Sequence, residues 1–89
     1  MFTSWGKETA NKYTKEQISS ILNALGDEEK YGIVLRAKGL VATDSDKFIY
    51  FDYVPGEPDV REGKAGIIGR ICVIGSKINE DEIQKLFNI

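Results

Sequence analysis

Gly32-Ile33-Val34-Leu35-Arg36-Ala37-Lys38-Gly39-Leu40-Val41 is the longest run of strand character in the chain, and it sets Arg36 and Lys38 among apolar residues. At a period of two, Ile33, Leu35, Ala37 and Val41 share one face, and Val34, Arg36, Lys38 and Leu40 share the other. Neither face is wholly polar. That pattern predicts a strand inside a small sheet, one face on a core and the other partly covered. Function then turns on what covers the second face.

Downstream, Thr43-Asp44-Ser45-Asp46-Lys47 is a turn cluster, and Phe48 to Val54 reads as a second strand paired back on the first in an antiparallel hairpin. Asp44 and Asp46 lack the glycine and the later glutamate of a calcium loop. Pro55-Gly56-Glu57-Pro58-Asp59 is expected to break the strand and open a long charged loop running to Gly66. Its Gly63-Lys64 has neither the leading glycine nor the following Ser or Thr of a P-loop, and it precedes a strand instead of following one. Ile67 to Ile74 is the next strand, with Cys72 expected to be a small packed residue on the face of Arg70.

Upstream, Phe2-Thr3-Ser4-Trp5 predicts a short edge strand with Trp5 as a core anchor, followed by a polar passage from Gly6 to Lys12. Thr14 and Gln17 form a capping box, with Tyr13 and Ile18 at the staple positions. Ile18, Ile21, Leu22 and Leu25 then follow at helical spacing up to Gly26, placed for a left-handed cap. A helix from about Lys15 to Leu25 results, and Asp27 to Lys30 reads as a charged connection. Asn79 with Glu82, and Ile78 with Ile83, repeat these start signals for a C-terminal helix whose buried stripe is Ile83, Leu86 and Phe87.

The sum is one α+β domain over residues 1–89: a two-layer sandwich in β-α-β-β-β-α order, with two helices on one face of a mainly antiparallel four-stranded sheet. If the helices cover Ile33, Leu35, Ala37, Ile49, Phe51, Tyr53, Ile71 and Val73, the opposite face carries Val34, Arg36, Lys38, Leu40, Phe48, Tyr50, Asp52, Val54, Ile68, Arg70, Cys72 and Ile74. Most of these are apolar, more than a solvent face needs. Arg36, Lys38, Tyr50, Asp52 and Arg70 are the candidate contact residues of a docking face, Arg36 and Asp52 also being placed to pair across strands.

Composition narrows the chemistry. The 89 residues contain one cysteine and no histidine, which excludes an internal disulfide, an imidazole metal ligand and a histidine general base. A net charge of -2 offers no field for nucleic acid. No segment approaches the ~18 apolar residues of a membrane span, so the expected setting is cytoplasmic. No catalytic constellation is found.

Four segments, taken in order, resemble the C-terminal domain of CobW-type GTPases: Phe2-Thr3-Ser4-Trp5, Val34-Leu35-Arg36-Ala37-Lys38-Gly39, Phe51-Asp52-Tyr53-Val54-Pro55-Gly56 and Gly69-Arg70-Ile71-Cys72-Val73-Ile74-Gly75. The resemblance implies an accessory domain of a cobalamin-synthesis-related metallochaperone. In that family an N-terminal P-loop domain binds and hydrolyses GTP with Mg and carries a Cys-x-Cys-Cys metal motif. The proteins are thought to deliver zinc, cobalt or another divalent metal to client metalloenzymes. Neither motif occurs in this chain, so cofactors and metal are expected outside it, and the chain is expected to be a piece of a larger GTPase. The implied partner is the GTPase domain of the same or another chain, with a client enzyme possible. Arg36, Lys38, Gly39, Arg70 and Gly75 match recurring family positions; Gly39 and Gly75 are read as bulge or strand-end glycines. The alternative is a free-standing regulatory domain in which Arg36, Lys38 and Arg70 receive an anion.

Overall fold

The computed structural model describes residues 1–89. Its elements are β1 (Thr3–Thr9), α1 (Lys15–Ala24), α2 (Glu28–Tyr31), β2 (Ile33–Ala42), β3 (Lys47–Val54), β4 (Glu57–Lys64), β5 (Gly69–Ser76) and α3 (Glu80–Leu86). The strands form one antiparallel sheet of five in the order β1-β5-β2-β3-β4. The expected α+β two-layer class holds. β2 lies at its centre, as its composition requires.

The strand and helix counts need correction. The expected loop after Val54 is β4, joined to β3 by a two-residue turn in which Val54 pairs with Glu57. Pro55 fixes the first turn position and Gly56, at φ 80°, takes the left-handed second one. The proline therefore ends one strand by starting another. Pro58 is tolerated because β4 is an edge, where one side of the backbone needs no ladder partner. β1 runs on to Thr9 through the expected polar passage, and β5 begins at Gly69 instead of Ile67.

The capping box of α1 is present: the Thr14 hydroxyl accepts from the Gln17 N–H at 3.1 Å, and Gln17 Oε1 accepts from the Thr14 N–H at 2.9 Å. Gly26 is not a left-handed cap. The chain instead runs through Leu25 into Asp27, whose carboxylate accepts from the Lys30 N–H at 3.3 Å and starts α2 where a charged connection was expected. A glycine of positive φ instead ends α2: Gly32, at φ 85°, packed so closely on Lys77 and Ile78 that no side chain fits. Asn79 caps α3 by accepting from the Glu82 N–H at 3.2 Å, while the Glu82 side chain pairs with Lys85.

All three helices lie on one side of the sheet, over a single cluster of 17 buried residues. Phe87 is its pivot, stacked against Trp5 at 6.1 Å and Phe51 at 6.3 Å between ring centroids. The Tyr13 hydroxyl donates to the Phe87 carbonyl at 2.6 Å, tying the start of α1 to the end of α3. Trp5 is the expected anchor, buried to 4% exposure, although its indole N–H finds no partner within the protein.

Which residues of β2 face this core differs from simple alternation. The register against β5 shifts between Val34 and Arg36, so Leu35 is the extra residue of a β-bulge. Ala37 and Val41 face the helices as expected, but Val34 joins them, and Ile33 and Leu35 turn to the outer face at 42% and 40% exposure. One inserted residue reverses the face of everything N-terminal to it.

Candidate functional site

No helix or strand covers the outer face of the sheet. Cross-strand register orders it into rows. Along one row, Glu8 of β1 stands beside Arg70 of β5, then Leu40 of β2, Tyr50 of β3 and Arg61 of β4. In the next come Gly6, Cys72, Lys38, Asp52 and Asp59. Beyond these lie Ser4, Ile74 and Arg36, with Ile33 further on. All five expected contact residues, Arg36, Lys38, Tyr50, Asp52 and Arg70, are on this face, with Lys38 at the centre. Val34 leaves the expected set, and Ile33 and Leu35 enter it.

The charges are ordered by competition for Asp52. Lys38 is its directly opposed neighbour, yet the two carboxylate oxygens go to arginines: Arg36 Nη2 at 3.4 Å from Oδ1 and Arg61 Nη2 at 3.2 Å from Oδ2. Arg61 also reaches Asp59 at 2.6 Å. A planar guanidinium can serve two carboxylates at once, which a single ammonium cannot do with the same geometry. Arg70 pairs with Glu8 at 3.2 Å, and the Tyr50 hydroxyl donates to the Lys64 carbonyl at 2.8 Å. Lys38 alone among the outer-face cations has no ion-pair partner within 4.0 Å. These pairs are exposed and each stabilises the fold by at most about 1 kcal/mol. Their effect is to hold three arginines in place.

Apolar groups collect at the end of the face where β2 begins and β3 and β5 finish. Phe2, Ile33, Leu35, Val54 and Ile74 are all exposed there, Phe2 to 72%. Nearer the middle, Gly6 and the small Cys72 leave a depression of about 400 Å³, bounded by Glu8 and Arg70 on one side and Lys38 on another. A second cleft, about 590 Å³, lies on the opposite side of the molecule between the start of α1 and the end of α3. It is lined chiefly by polar side chains, and the Tyr13 hydroxyl at its wall is already bonded.

Sequence reading missed Glu8, Asp59 and Arg61. The alternation of Asp59, Val60 and Arg61 was the available signal, but it lay between two prolines and a glycine run that read as loop. No group of three or more acidic or cysteine side chains is arranged to hold a metal ion. No helix is long and apolar enough to cross a membrane.

The chain is thus a two-layer antiparallel α+β sandwich with one uncovered sheet face, mixed in charge and rich in apolar positions. Residues 2–88 match the family described as the cobalamin synthesis protein cobW C-terminal domain, and the chain belongs to that family. Among solved structures it is similar to the Zn(II)-bound YjiA GTPase from E. coli, at 21% identity and a TM-score of 0.79. It is equally similar to a Zn(II)-bound triple mutant of YjiA GTPase, at 21% identity and a TM-score of 0.80. In both cases the match covers 98% of this chain and 29% of the other. These neighbours establish the shared fold, and the chain spans less than a third of their length. No curated protein matches.

Proposed function

We propose that this domain is the docking accessory of a CobW-type GTP-dependent metal chaperone, packing through its outer sheet face on the GTPase domain of the same or another chain. On this reading GTP, Mg and the divalent metal cargo are handled by the GTPase part in the cytoplasm, and this domain does no chemistry of its own. The observation that carries it is the uncovered face itself. A sheet that had finished packing would present polar residues to water, whereas this one exposes Ile33, Leu35, Val54 and Ile74 together. Membership of a family named as a C-terminal domain supplies the natural cover.

The anion-receptor alternative has less support, since Arg36 and Arg70 are already held by Asp52 and Glu8 and only Lys38 stands open. The test is association of the domain with its GTPase part, measured by calorimetry. Arg36→Ala combined with Lys38→Ala should keep the melting transition and weaken association several-fold, and Ile74→Asp should weaken it more. Undiminished association in all three changes would refute the docking face. Saturable binding of phosphate or nucleotide at these side chains, with no response to protein, would favour the receptor.

A further inference from the structure

Gly6 has no reason to be a glycine within the fold. It lies in the interior of β1, where a missing side chain costs strand stability. Its φ is not positive. A Cβ built on it would meet only the Ile71 carbonyl oxygen, at an ordinary 3.5 Å. Other glycines of the sheet differ: at Gly39 and Gly75 a methyl group would run into backbone oxygens. What Gly6 leaves is open space above Cys72, next to Lys38, the one unpaired cation of the face.

Resting on the docking role proposed above, we infer that this notch over Gly6 and Cys72 receives an anchor side chain of the GTPase domain, aliphatic or aromatic, flanked by a carboxylate that pairs with Lys38. The notch is a shallow pocket in a face whose other cations are satisfied, and the energetically dominant residues of interfaces sit in such pockets. Leu40 gives it an apolar side, and Gly39 and Ile71 also line it. The Arg70–Glu8 pair walls it off. A partner that brought only an apolar group would strand the Lys38 ammonium as it lost water, which makes the carboxylate part of the fit.

The chain closes its own core, so the 89-residue domain can be titrated with a separately produced GTPase domain. Gly6→Phe fills the notch and Lys38→Glu reverses its charge; both should keep the wild-type melting transition and weaken binding tenfold or more. Iodoacetamide alkylation of Cys72, read by mass spectrometry, should slow when the GTPase domain is added to wild-type protein. Wild-type affinity in Gly6→Phe together with weakened binding in Ile74→Asp would leave the docking face standing and overturn the notch. Loss confined to Lys38→Glu would assign an ion pair without an anchor, also against the inference. If neither notch variant nor Ile74→Asp weakened binding, the docking role itself would fail.

Discussion

At Gly39 the inner face of β2 has no room for one more carbon. A Cβ there would overlap the Arg70 carbonyl oxygen and lie 2.8 Å from the Phe51 ring, which covers the glycine from the neighbouring strand. Backbone on β5 cannot yield as a flexible side chain would. Gly39→Ala should therefore destabilise the domain by about 2–3 kcal/mol, whereas Gly6→Ala should be neutral or stabilise it by up to about 1 kcal/mol. Urea denaturation of the pair decides it; equal effects would mean that the close approach at Gly39 is not a constraint. The sequence reading of Gly39 as a bulge or strand-end residue is replaced by this contact, and the bulge itself falls on Leu35. Tyr53 gives a second residue-scale test. Burial pushes its hydroxyl above the usual phenol range. A group whose folded pKa is raised contributes stability below its unfolded value of about 10 and loses that contribution as pH rises through the folded one. Tyr53→Phe should accordingly lose less stability than wild type between pH 8 and pH 11 in parallel urea titrations, and an identical loss would count against desolvation as the cause.

The elements divide into those whose residues announce them and those whose residues mislead. The capping box at Thr14 and the asparagine cap at Asn79 are local signals, complete within four residues, and both helices start where the caps stand. The β2–β3 hairpin was legible for the same reason, its turn being closed by Thr43 and Ser45 through their own backbone neighbours. β4 was not legible, because its proline and its charges describe an edge strand as well as they describe a loop, and only the pairing with β3 separates the two. The outer-face positions of the candidate residues were legible but the phase at the start of β2 was not: the bulge at Leu35 is set by cross-strand register, which no single strand encodes. Removing that residue tests the account. In a chain lacking Leu35, Val34 adjoins Arg36, and strict alternation then places Val34 and Ala37 inward and Ile33 and Arg36 outward. The deletion variant should fold with native-like circular dichroism and keep the Val34 amide protected from hydrogen exchange. Exposure of Val34 would show that the bulge is needed to hold β2 in register.

For the whole molecule, a Cα radius of gyration of 12.2 Å agrees with the roughly 12 Å expected of a folded chain of this length. The helices close the core on one side of the sheet, and the other side is left open. Its charges also balance: Arg36, Lys38, Arg61 and Arg70 stand against Glu8, Asp52, Glu57 and Asp59, so the face projects little net field. With a chain charge of only -2, nothing steers a partner from a distance. Association through this face should accordingly proceed at about 10⁵–10⁶ M⁻¹s⁻¹, the range of unsteered protein pairs. Raising NaCl from about 50 to about 500 mM, which shortens the screening length several-fold, should change that rate by less than about threefold. The dissociation rate should carry the effect of Lys38→Glu, because a desolvated pair acts after contact and not before it. Stopped-flow mixing with the GTPase domain reads both rates. A steep fall of the association rate with salt would mean that the partner meets the charged rows first, against an encounter in which the apolar end formed by Ile33, Leu35, Val54 and Ile74 takes part from the start.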